Sequence, residues 1–305
     1  MNIVITGATS FIGTGIIKRL AEENHKIWAV IRPMSVNRNK IPIHENVHII
    51  ELDMQRIVEL EAYVPKPVDV FFHLAWEGVR APYRDDPQIQ NANYNAAMKA
   101  IRVCDKLGCK KFVCSGSQAE YGKMCGEITE DYPCNPNTEY GKAKYKACCD
   151  LKEYAEKHQM KFIWGRIFSI YGPGDYKESL IMSCLDKMQK NETILLTECI
   201  QEWDYLYIDE VVEIFTQFAT GEYESGVYNV ASGEHRGLKE YVEIMKQATG
   251  SESRLIYGGI PYPDSGMVSF VPIISKLQNV IHWKSEIAFE EGINRILKGE
   301  TNEEN

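Results

Sequence analysis

The chain has 305 residues, of which 44% are hydrophobic, and its formal net charge is −9. Nucleic-acid phosphates demand a broad basic face, which so acidic a composition does not supply. No apolar run approaches the ~18 residues that a membrane span requires. These properties exclude nucleic-acid-binding and membrane-spanning proteins and leave a globular chain with a sizeable core.

The N-terminal segment combines a strand, a glycine-bearing turn and a helix. Residues 2–5 are apolar, as in a buried parallel strand, and Ile16, Ile17 and Leu20 then recur with helical spacing. Unpaired N–H groups at a helix N-terminus attract a pyrophosphate, so this turn predicts a dinucleotide site. Ser10 replaces the usual middle glycine, and a turn without any ligand is the alternative. The predicted cofactor residues of the turn are Gly7, Thr9, Ser10, Phe11, Ile12 and Gly13.

The second predicted strand, 27–31, is followed by an arginine instead of an acid. A carboxylate at this point suits the ribose 2′-hydroxyl of NAD, whereas a guanidinium suits a 2′-phosphate. Arg32 therefore favours NADP, with NAD the alternative if Arg32 is only a surface residue. Asp53, which with Met54 follows the third strand, is predicted either to contact adenine or to cap the next helix.

Apolar strands separated by helical patterns predict βαβ units and a doubly wound parallel sheet of the Rossmann type. The predicted strands are 1–5, 27–31, 47–52, 68–74, 111–114 and 161–166. Beyond Gly172, irregular segments with glycine and proline predict the loops of a smaller lobe. We predict a dinucleotide-binding domain over 1–171, to which 204–231 returns, and an interleaved α/β substrate-binding lobe formed by 172–203 and 232–305.

Tyr140 and Lys144 lie four residues apart on a predicted helix and therefore share a face. A nearby positive charge lowers a tyrosine pKa that is normally about 10, and such a tyrosine can give a proton to a carbonyl oxygen as a hydride reaches its carbon. Ser117, preceding them in the chain, could touch the same carbonyl. The spacing alone is equally typical of a solvated lysine beside a half-buried tyrosine, so the other motifs must decide.

The joint order of the motifs resembles that of the extended short-chain dehydrogenase/reductase family, in its nucleotide-sugar-modifying NAD-dependent epimerase/dehydratase branch. The resemblance runs over nearly the whole chain. Its motifs are, in order, the glycine turn, His73-Leu74-Ala75-Trp76, Asn93-Tyr94-Asn95-Ala96-Ala97, the segment 115–122, Tyr140 to Lys144, the segments 166–174, 203–210 and 228–233, and His282-Trp283 followed by Phe289, Gly292 and Ile293.

This resemblance implies roles for individual residues. Tyr140 would be the catalytic acid/base, Lys144 would hold the nicotinamide ribose, Ser117 would hydrogen-bond the reacting sugar oxygen, and Asn93 would brace the active-site helix. Further cofactor contacts are implied for Leu74, Ala75, Trp76, Asn93, Ser115 and Ile170, and substrate contacts for Gln118, Ser169, Trp203 and Arg236. Relatives pair the helices 93–107 and 140–158 across a bundle, which implies a homodimer.

The residues after Ser117 limit which reactions the protein could catalyse. Relatives that dehydrate the sugar resemble one another in carrying an acid pair where this chain has Gln118 and Ala119, so 4,6-dehydration is not expected. Glu120 lies one step further and, on an extended segment, would point to the opposite face. Trp203 stands where relatives often have an arginine, and similar departures occur in the branch that reduces 4-keto-6-deoxy sugar nucleotides.

Together with Arg32, these departures favour an NADPH-dependent 4-keto reductase that acts on a nucleotide-linked deoxysugar for surface polysaccharide. One alternative is a nucleotide-sugar 4-epimerase with tightly bound NAD. Another is a non-catalytic dinucleotide-binding protein, which would be expected to lose Tyr140 or Lys144.

Cysteines and histidines give no sign of a metal site. The nine cysteines form no C-x-x-C pair, and the seven histidines show no ligand spacing. His73 is predicted to pack at a strand end. An odd cysteine count without a signal peptide predicts free thiols in a reducing cytoplasm.

Overall fold

The computed structural model describes residues 1–263 and 266–299, so the last residues of the predicted second lobe, 300–305, lie outside the described residues. The strands, numbered in chain order, are β1 (Asn2–Thr6), β2 (Lys26–Ile31), β3 (Val47–Glu51), β4 (Val70–His73), β5 (Lys111–Ser117), β6 (Cys125–Ile128), β7 (Lys161–Ile167), β8 (Ser169–Tyr171), β9 (Ile194–Leu195), β10 (Glu202–Tyr207), β11 (Gly226–Val230), β12 (His235–Gly237), β13 (Leu255–Ile256) and β14 (Ser269–Pro272).

Helices connect most of these strands. The α-helices are α1 (Gly13–Glu22), α2 (Pro87–Lys106), α3 (Glu139–Lys157), α4 (Leu180–Gln189), α5 (Ile208–Thr220), α6 (Leu238–Thr249), α7 (Ser275–Ile281) and α8 (Phe289–Leu297). Short 3₁₀ helices cover Arg38–Lys40, Met54–Ala62, Tyr83–Asp85 and Gln118–Glu120. None of the described helices has the length and hydropathy needed to cross a bilayer.

Seven parallel strands form the central sheet in the order β11-β7-β5-β4-β1-β2-β3. The predicted Rossmann-type fold and its six strands are confirmed, although β5 continues three residues beyond its predicted end, to Ser117. β11 joins the sheet at its edge beside β7, after the chain has formed strands β8, β9 and β10 of the small sheets. The chain therefore interleaves the two regions.

Both faces of the central sheet are buried, which explains why its strands are nearly continuous apolar runs. Along β1, Ile3 and Ile5 join one hydrophobic cluster and Val4 joins the other, because successive side chains of a strand point to opposite faces. Residues of α1 and α5 belong to the first cluster, and residues of α2 and α3 belong to the second.

Three small sheets complete the molecule: β12-β10-β8, β13-β9 and β14-β6. Five of their seven strands, β9, β10, β12, β13 and β14, follow Tyr171 in the chain. The assignment of the second lobe to substrate binding stays a prediction.

The parallel arrangement brings the carboxyl ends of the strands to one edge of the sheet. Gly7 follows β1, Arg32 follows β2, Leu74 follows β4 and Ser117 ends β5. Ligands of open α/β sheets bind outside this edge. The fold thus brings the predicted cofactor and catalytic residues to a common edge.

Candidate active site

The turn between β1 and α1 is fixed by two glycines. Gly7 has a φ of +69°, and a Cβ there would lie 2.6 Å from the amide nitrogen of Ala75. A Cβ on Gly13 would lie 2.5 Å from the carbonyl oxygen of Gly7. Because Gly7 has no side chain, the turn can pack directly against the segment after β4. Gly13 lets α1 begin close to the strand, as predicted from the spacing.

Other residues of the turn have different surroundings. The Ser10 hydroxyl accepts a hydrogen bond from the N–H of Gly13 at 3.1 Å, so it caps the start of α1 in addition to any contact it makes with phosphate. Thr9 and Phe11 are half-buried. Ile12 is buried in the core, so only its backbone could serve a ligand.

The two residues predicted to read the adenosine end are both exposed and already partnered. A nitrogen of the Arg32 guanidinium lies 3.6 Å from a carboxylate oxygen of Glu77. Asp53 accepts a hydrogen bond from the N–H of Gln55 at 2.8 Å, and so caps the 3₁₀ helix that begins at Met54. The structure thus shows the capping alternative for Asp53, and its contact with adenine stays a prediction.

The segment after β4 is held by side chains of α2. Leu74 is buried, and the Trp76 indole N–H donates to Gln90 Oε1 at 2.9 Å. Asn93 accepts from the N–H of Glu77 at 3.0 Å and donates to the carbonyl oxygen of the same residue at 2.8 Å. Asn93 thus fixes the loop after β4, and its role as a brace of the active-site helix stays a prediction.

Ser117 and Tyr140 come together where α3 meets the end of β5. The Ser117 side chain lies near enough to Tyr140 to lower the pKa of its phenol. Helix α3 can approach the turn 118–120 closely because residue 141 is a glycine. A Cβ on Gly141 would collide with the Ala119 carbonyl oxygen. Thr138 caps α3 by accepting from the N–H of Gly141 at 3.0 Å. Tyr140 is therefore presented from the first turn of a rigidly placed helix.

Lys144 lies one turn further along α3 and is buried. Its ammonium donates to the carbonyl oxygen of Ser115 at 2.8 Å and lies 3.8 Å from the centre of the Trp76 ring. Burial lowers the pKa of Lys144 to about 8, although the charge of Glu120 opposes this shift. The structure thus brings Lys144, Ser115 and Trp76 together, all three of which were predicted to contact the cofactor.

The pKa of Tyr140 is raised, contrary to the expectation that Lys144 lowers it. Burial is the main cause, and the charge of Glu120 acts in the same direction. The Ser117 side chain and the charge of Arg84 lower this pKa. The expected effect of Lys144 is wrong for this arrangement, because the ammonium is directed to Ser115 and Trp76.

The sheet β12-β10-β8 brings together three of the residues predicted to bind substrate. The Trp203 indole N–H donates to the Ser169 hydroxyl at 2.9 Å, and Trp203 faces Arg236 across the β10–β12 ladder. Arg236 also donates to Glu290 at 2.6 Å. Ile170 follows Ser169 on β8 and is half-buried.

Gln118, the fourth of these residues, follows Ser117 directly. Its side-chain oxygen is buried and has no hydrogen-bond partner within the described residues. Such an atom is costly to leave unpaired, so it fits a ligand that donates a hydrogen bond at this position.

A model of the NAD-dependent epimerase/dehydratase family matches residues 3–231. The chain belongs to this family. It is therefore an NAD(P)-dependent enzyme of the short-chain dehydrogenase/reductase type, as the motif order implied.

Relatives of this family member carry out different reactions. The chain is 28% identical to the CDP-abequose synthase of Salmonella muenchen over 301 residues, covering 97% of this chain and 96% of that one. It is 25% identical to a putative UDP-glucose 4-epimerase of Methanocaldococcus jannaschii, with 97% of each chain covered. Its structure matches that of a Thermotoga maritima UDP-glucose 4-epimerase with UDP-glucose at a TM-score of 0.87, with 21% identity and 98% of each chain covered.

The residues present fit a nicotinamide dinucleotide. The collisions that a Cβ would meet at Gly7 and Gly13 leave a tight turn whose backbone lies close to the N-terminus of α1, where a pyrophosphate could bind. Other structures with the same fold hold NAD in an enzyme from Thermus thermophilus and NADPH in one from Pseudomonas aeruginosa.

Two residues near the candidate site were not predicted from the sequence. The Arg84 guanidinium lies 4.9 Å from the centre of the Tyr140 ring. It is carried by the 3₁₀ helix Tyr83–Asp85, which is tied to α3 because Asp85 accepts from the N–H of Glu139 at 2.9 Å. No motif marks Arg84, because its position depends on how this loop folds over the sheet edge.

Glu120 is the second missed residue. It was expected to point away from the site on an extended segment, but residues 118–120 form a 3₁₀ turn and the carboxylate is fully buried. The Ser-x-x-Glu spacing from Ser117 to Glu120 is a capping-box pattern, and it could have predicted this turn.

Proposed function

We propose that the enzyme reduces the 4-keto group of a nucleotide-linked deoxysugar with NADPH, in the synthesis of surface polysaccharide. The close approach of Tyr140 on α3 to the turn that begins at Ser117, with Lys144 one helical turn away, carries this proposal. It places a hydroxyl and a phenol where one carbonyl oxygen could contact both. The similarity to a CDP-abequose synthase supports the substrate class.

The cofactor would be held by the glycine turn at its pyrophosphate, by Lys144 at the nicotinamide ribose and by Arg32 at the 2′-phosphate. When bound, it supplies a hydride. The residues Leu74, Ala75 and Trp76 would line the same binding site, because the glycine turn packs directly on this segment.

Ser117 and Tyr140 handle the proton. The Ser117 hydroxyl oxygen already accepts from the N–H of Ala119 at 3.2 Å, so the hydroxyl proton is available to the sugar carbonyl oxygen. Tyr140 donates its proton to that oxygen as the ketone becomes an alcohol. The pKa of Tyr140 is raised above its ordinary value of 10, mainly by burial, so the phenol carries the proton that it donates.

The absence of an acid pair after Ser117 argues against dehydration. Gln118 carries an amide and Ala119 is buried, so neither side chain can expel a hydroxyl or remove a carbon-bound proton. Glu120 is not an alternative acid, since its carboxylate is bonded to Arg166 and Trp164.

One observation favours a second candidate, a nucleotide-sugar 4-epimerase that retains NAD. Glu77 lies beside Arg32, and its negative charge would repel the 2′-phosphate that Arg32 is proposed to bind. Both side chains are exposed, however, so the pair is weak and Arg32 could exchange Glu77 for a phosphate.

A panel of CDP-, dTDP-, GDP- and UDP-linked keto sugars tests the two candidates. Each is incubated with the enzyme and NADPH while the absorbance of reduced nicotinamide is followed. Consumption of NADPH that disappears in Tyr140→Phe supports the reductase. Isomerisation of sugar nucleotides without NADPH consumption, by protein that purifies with bound NAD, would establish the epimerase.

Replacing Arg32 with Ala tests the cofactor. We expect about a tenfold or greater loss of NADPH affinity with little change for NADH, since a guanidinium–phosphate contact is charge-assisted. Arg19→Ala is a matched control, because Arg19 is a similarly exposed arginine paired with Glu23 on α1. Equal losses for NADPH and NADH would show that Arg32 does not read the 2′-phosphate.

The homodimer through α2 and α3 and the cytoplasmic location stay predictions. Light scattering of the purified enzyme would give the number of subunits.

A further inference from the structure

The turn after β5 contains a buried carboxylate with an unusual set of partners. Glu120 Oε1 accepts from the N–H of Ser117 at 2.7 Å and from the Trp164 indole N–H at 2.9 Å. Its Oε2 accepts from Arg166 Nε at 2.7 Å. The Glu120 side chain has no solvent exposure, and that of Arg166 is 4% exposed.

These contacts hold Ser117 from two sides. The Ser117 hydroxyl accepts from the N–H of Ala119, while the Ser117 N–H donates to the Glu120 carboxylate, so the turn is a reciprocal capping box. The backbone of Ser117 is thus fixed by Glu120, and the direction of its hydroxyl is fixed by the same turn.

Burying this ion pair is costly unless its geometry is good and its remaining polar groups are satisfied. The Arg166 guanidinium also lies 4.5 Å from the centre of the Tyr121 ring, and the Tyr121 hydroxyl donates to Asn229 on β11 at 2.6 Å. Gly116 leaves the necessary space, because a Cβ there would collide with the Trp164 indole nitrogen and lie 2.8 Å from Glu120. Several elements are therefore arranged around this one carboxylate.

We propose that Glu120, held by Arg166 and Trp164, is a positioning residue that fixes Ser117 against Tyr140 for the reaction. This inference rests on the proposed function, because Ser117 is the group that would contact the substrate carbonyl. A tilt of the turn would move the Ser117 hydroxyl away from the oxygen it must contact, and displacements of about 1 Å can cost a hundredfold in rate.

Glu120→Gln tests the proposal, since it keeps the shape and one acceptor but removes the charge that binds Arg166. We expect kcat for reduction to fall by about tenfold or more, with the affinity for NADPH unchanged. The matched control is Glu210→Gln. Glu210 is also a buried carboxylate that accepts backbone N–H groups, from Glu286 and Ile287, and it makes no contact with the turn among the hydrogen bonds of the described residues. The variant Glu210→Gln should leave kcat within about twofold of the wild-type value.

A double-mutant cycle with Ser117→Ala separates positioning from general damage. If Glu120 acts through Ser117, adding Glu120→Gln to Ser117→Ala should cost less than about twofold further. Losses that multiply independently would overturn the proposal, because they would mean that Glu120 affects the reaction by another route.

Hydrogen exchange at the Ser117 amide gives a readout that does not need turnover. The amide should exchange faster in Glu120→Gln than in the wild type and Glu210→Gln. If Glu120→Gln does not fold, Trp164→Phe removes one donor to the carboxylate without leaving Arg166 unpaired, and it should also accelerate this exchange. Unchanged exchange would refute the role of Glu120, whereas failure of the wild-type enzyme to reduce any keto sugar would refute the proposed function alone.

Discussion

Replacing Gly7 with Ala should lower both the free energy of unfolding and the affinity for the cofactor. Two physical effects contribute to the loss of stability. The first is conformational: Gly7 has a φ of +69°, where an alanine costs about 1–2 kcal/mol. The second is steric: the new methyl group would lie 2.6 Å from the Ala75 nitrogen and 2.7 Å from the Leu74 carbonyl carbon. Because these are backbone atoms, the segment after β4 must move.

Gly250→Ala provides the matched control. Gly250 has a φ of +61°, but a Cβ there would meet nothing within 4 Å. The free energy of unfolding of Gly250→Ala should therefore fall only by the conformational cost. That cost is offset by about 0.4–1 kcal/mol because alanine restricts the unfolded chain. The free energy of unfolding of Gly7→Ala should fall by about 1–3 kcal/mol more than that of Gly250→Ala, which is the usual cost of overpacking.

Urea unfolding followed by circular dichroism measures this difference, and a fluorescence titration with NADPH measures the second effect. Gly7→Ala should also bind NADPH more weakly, because Leu74 and Ala75 belong to the predicted cofactor site, whereas Gly250→Ala should keep its affinity. Equal losses of unfolding free energy in the two variants would show that the close approach of Gly7 to Ala75 is not a source of strain.

Two further predictions concern titration. Arg84→Gln should move the alkaline limb of the reduction rate to higher pH, because reduction needs protonated Tyr140 and the charge of Arg84 lowers the pKa of that phenol, which Glu120 and burial raise. A limb that stays in place in the pH profile of kcat/KM would show that this charge does not reach Tyr140. Burial lowers the pKa of His73 from 6.5 to about 3, so the folded state binds fewer protons than the unfolded state between these values and stability must fall as the pH falls through that window. The loss amounts to about 2 kcal/mol between pH 7 and pH 5, and urea unfolding should show it in the wild type but not in His73→Asn.

The fold could be predicted because its signals are local. β1 alternates residues between two buried faces, and the helical spacing of Ile16, Ile17 and Leu20 follows a glycine turn directly. Tyr140 and Lys144 could likewise be assigned to one helix face, since both lie near the start of α3.

The contacts that tune the site were harder to predict, because they join segments that are distant in the chain. Arg84 reaches Tyr140 only through the folding of a loop, and the Lys144 ammonium donates to a carbonyl oxygen on β5. The segment that contains Glu120 was assumed to be extended, whereas it forms a 3₁₀ turn. Hydrophobic periodicity carries no information about these contacts between polar side chains and distant segments.

The position of β11 has a consequence for the newly made chain. β7 ends at Ile167, but the strand that covers its edge begins only at Gly226, which corresponds to a delay of about 3–12 s at ordinary rates of translation. During that interval β7 presents an unpaired edge, where another chain could add a strand. Tyr121, next to Glu120, also waits for Asn229. The turn 118–120 therefore gains one of its supporting contacts late in synthesis, and a ribosome stalled before Gly226 would hold a nearly complete sheet with an open edge.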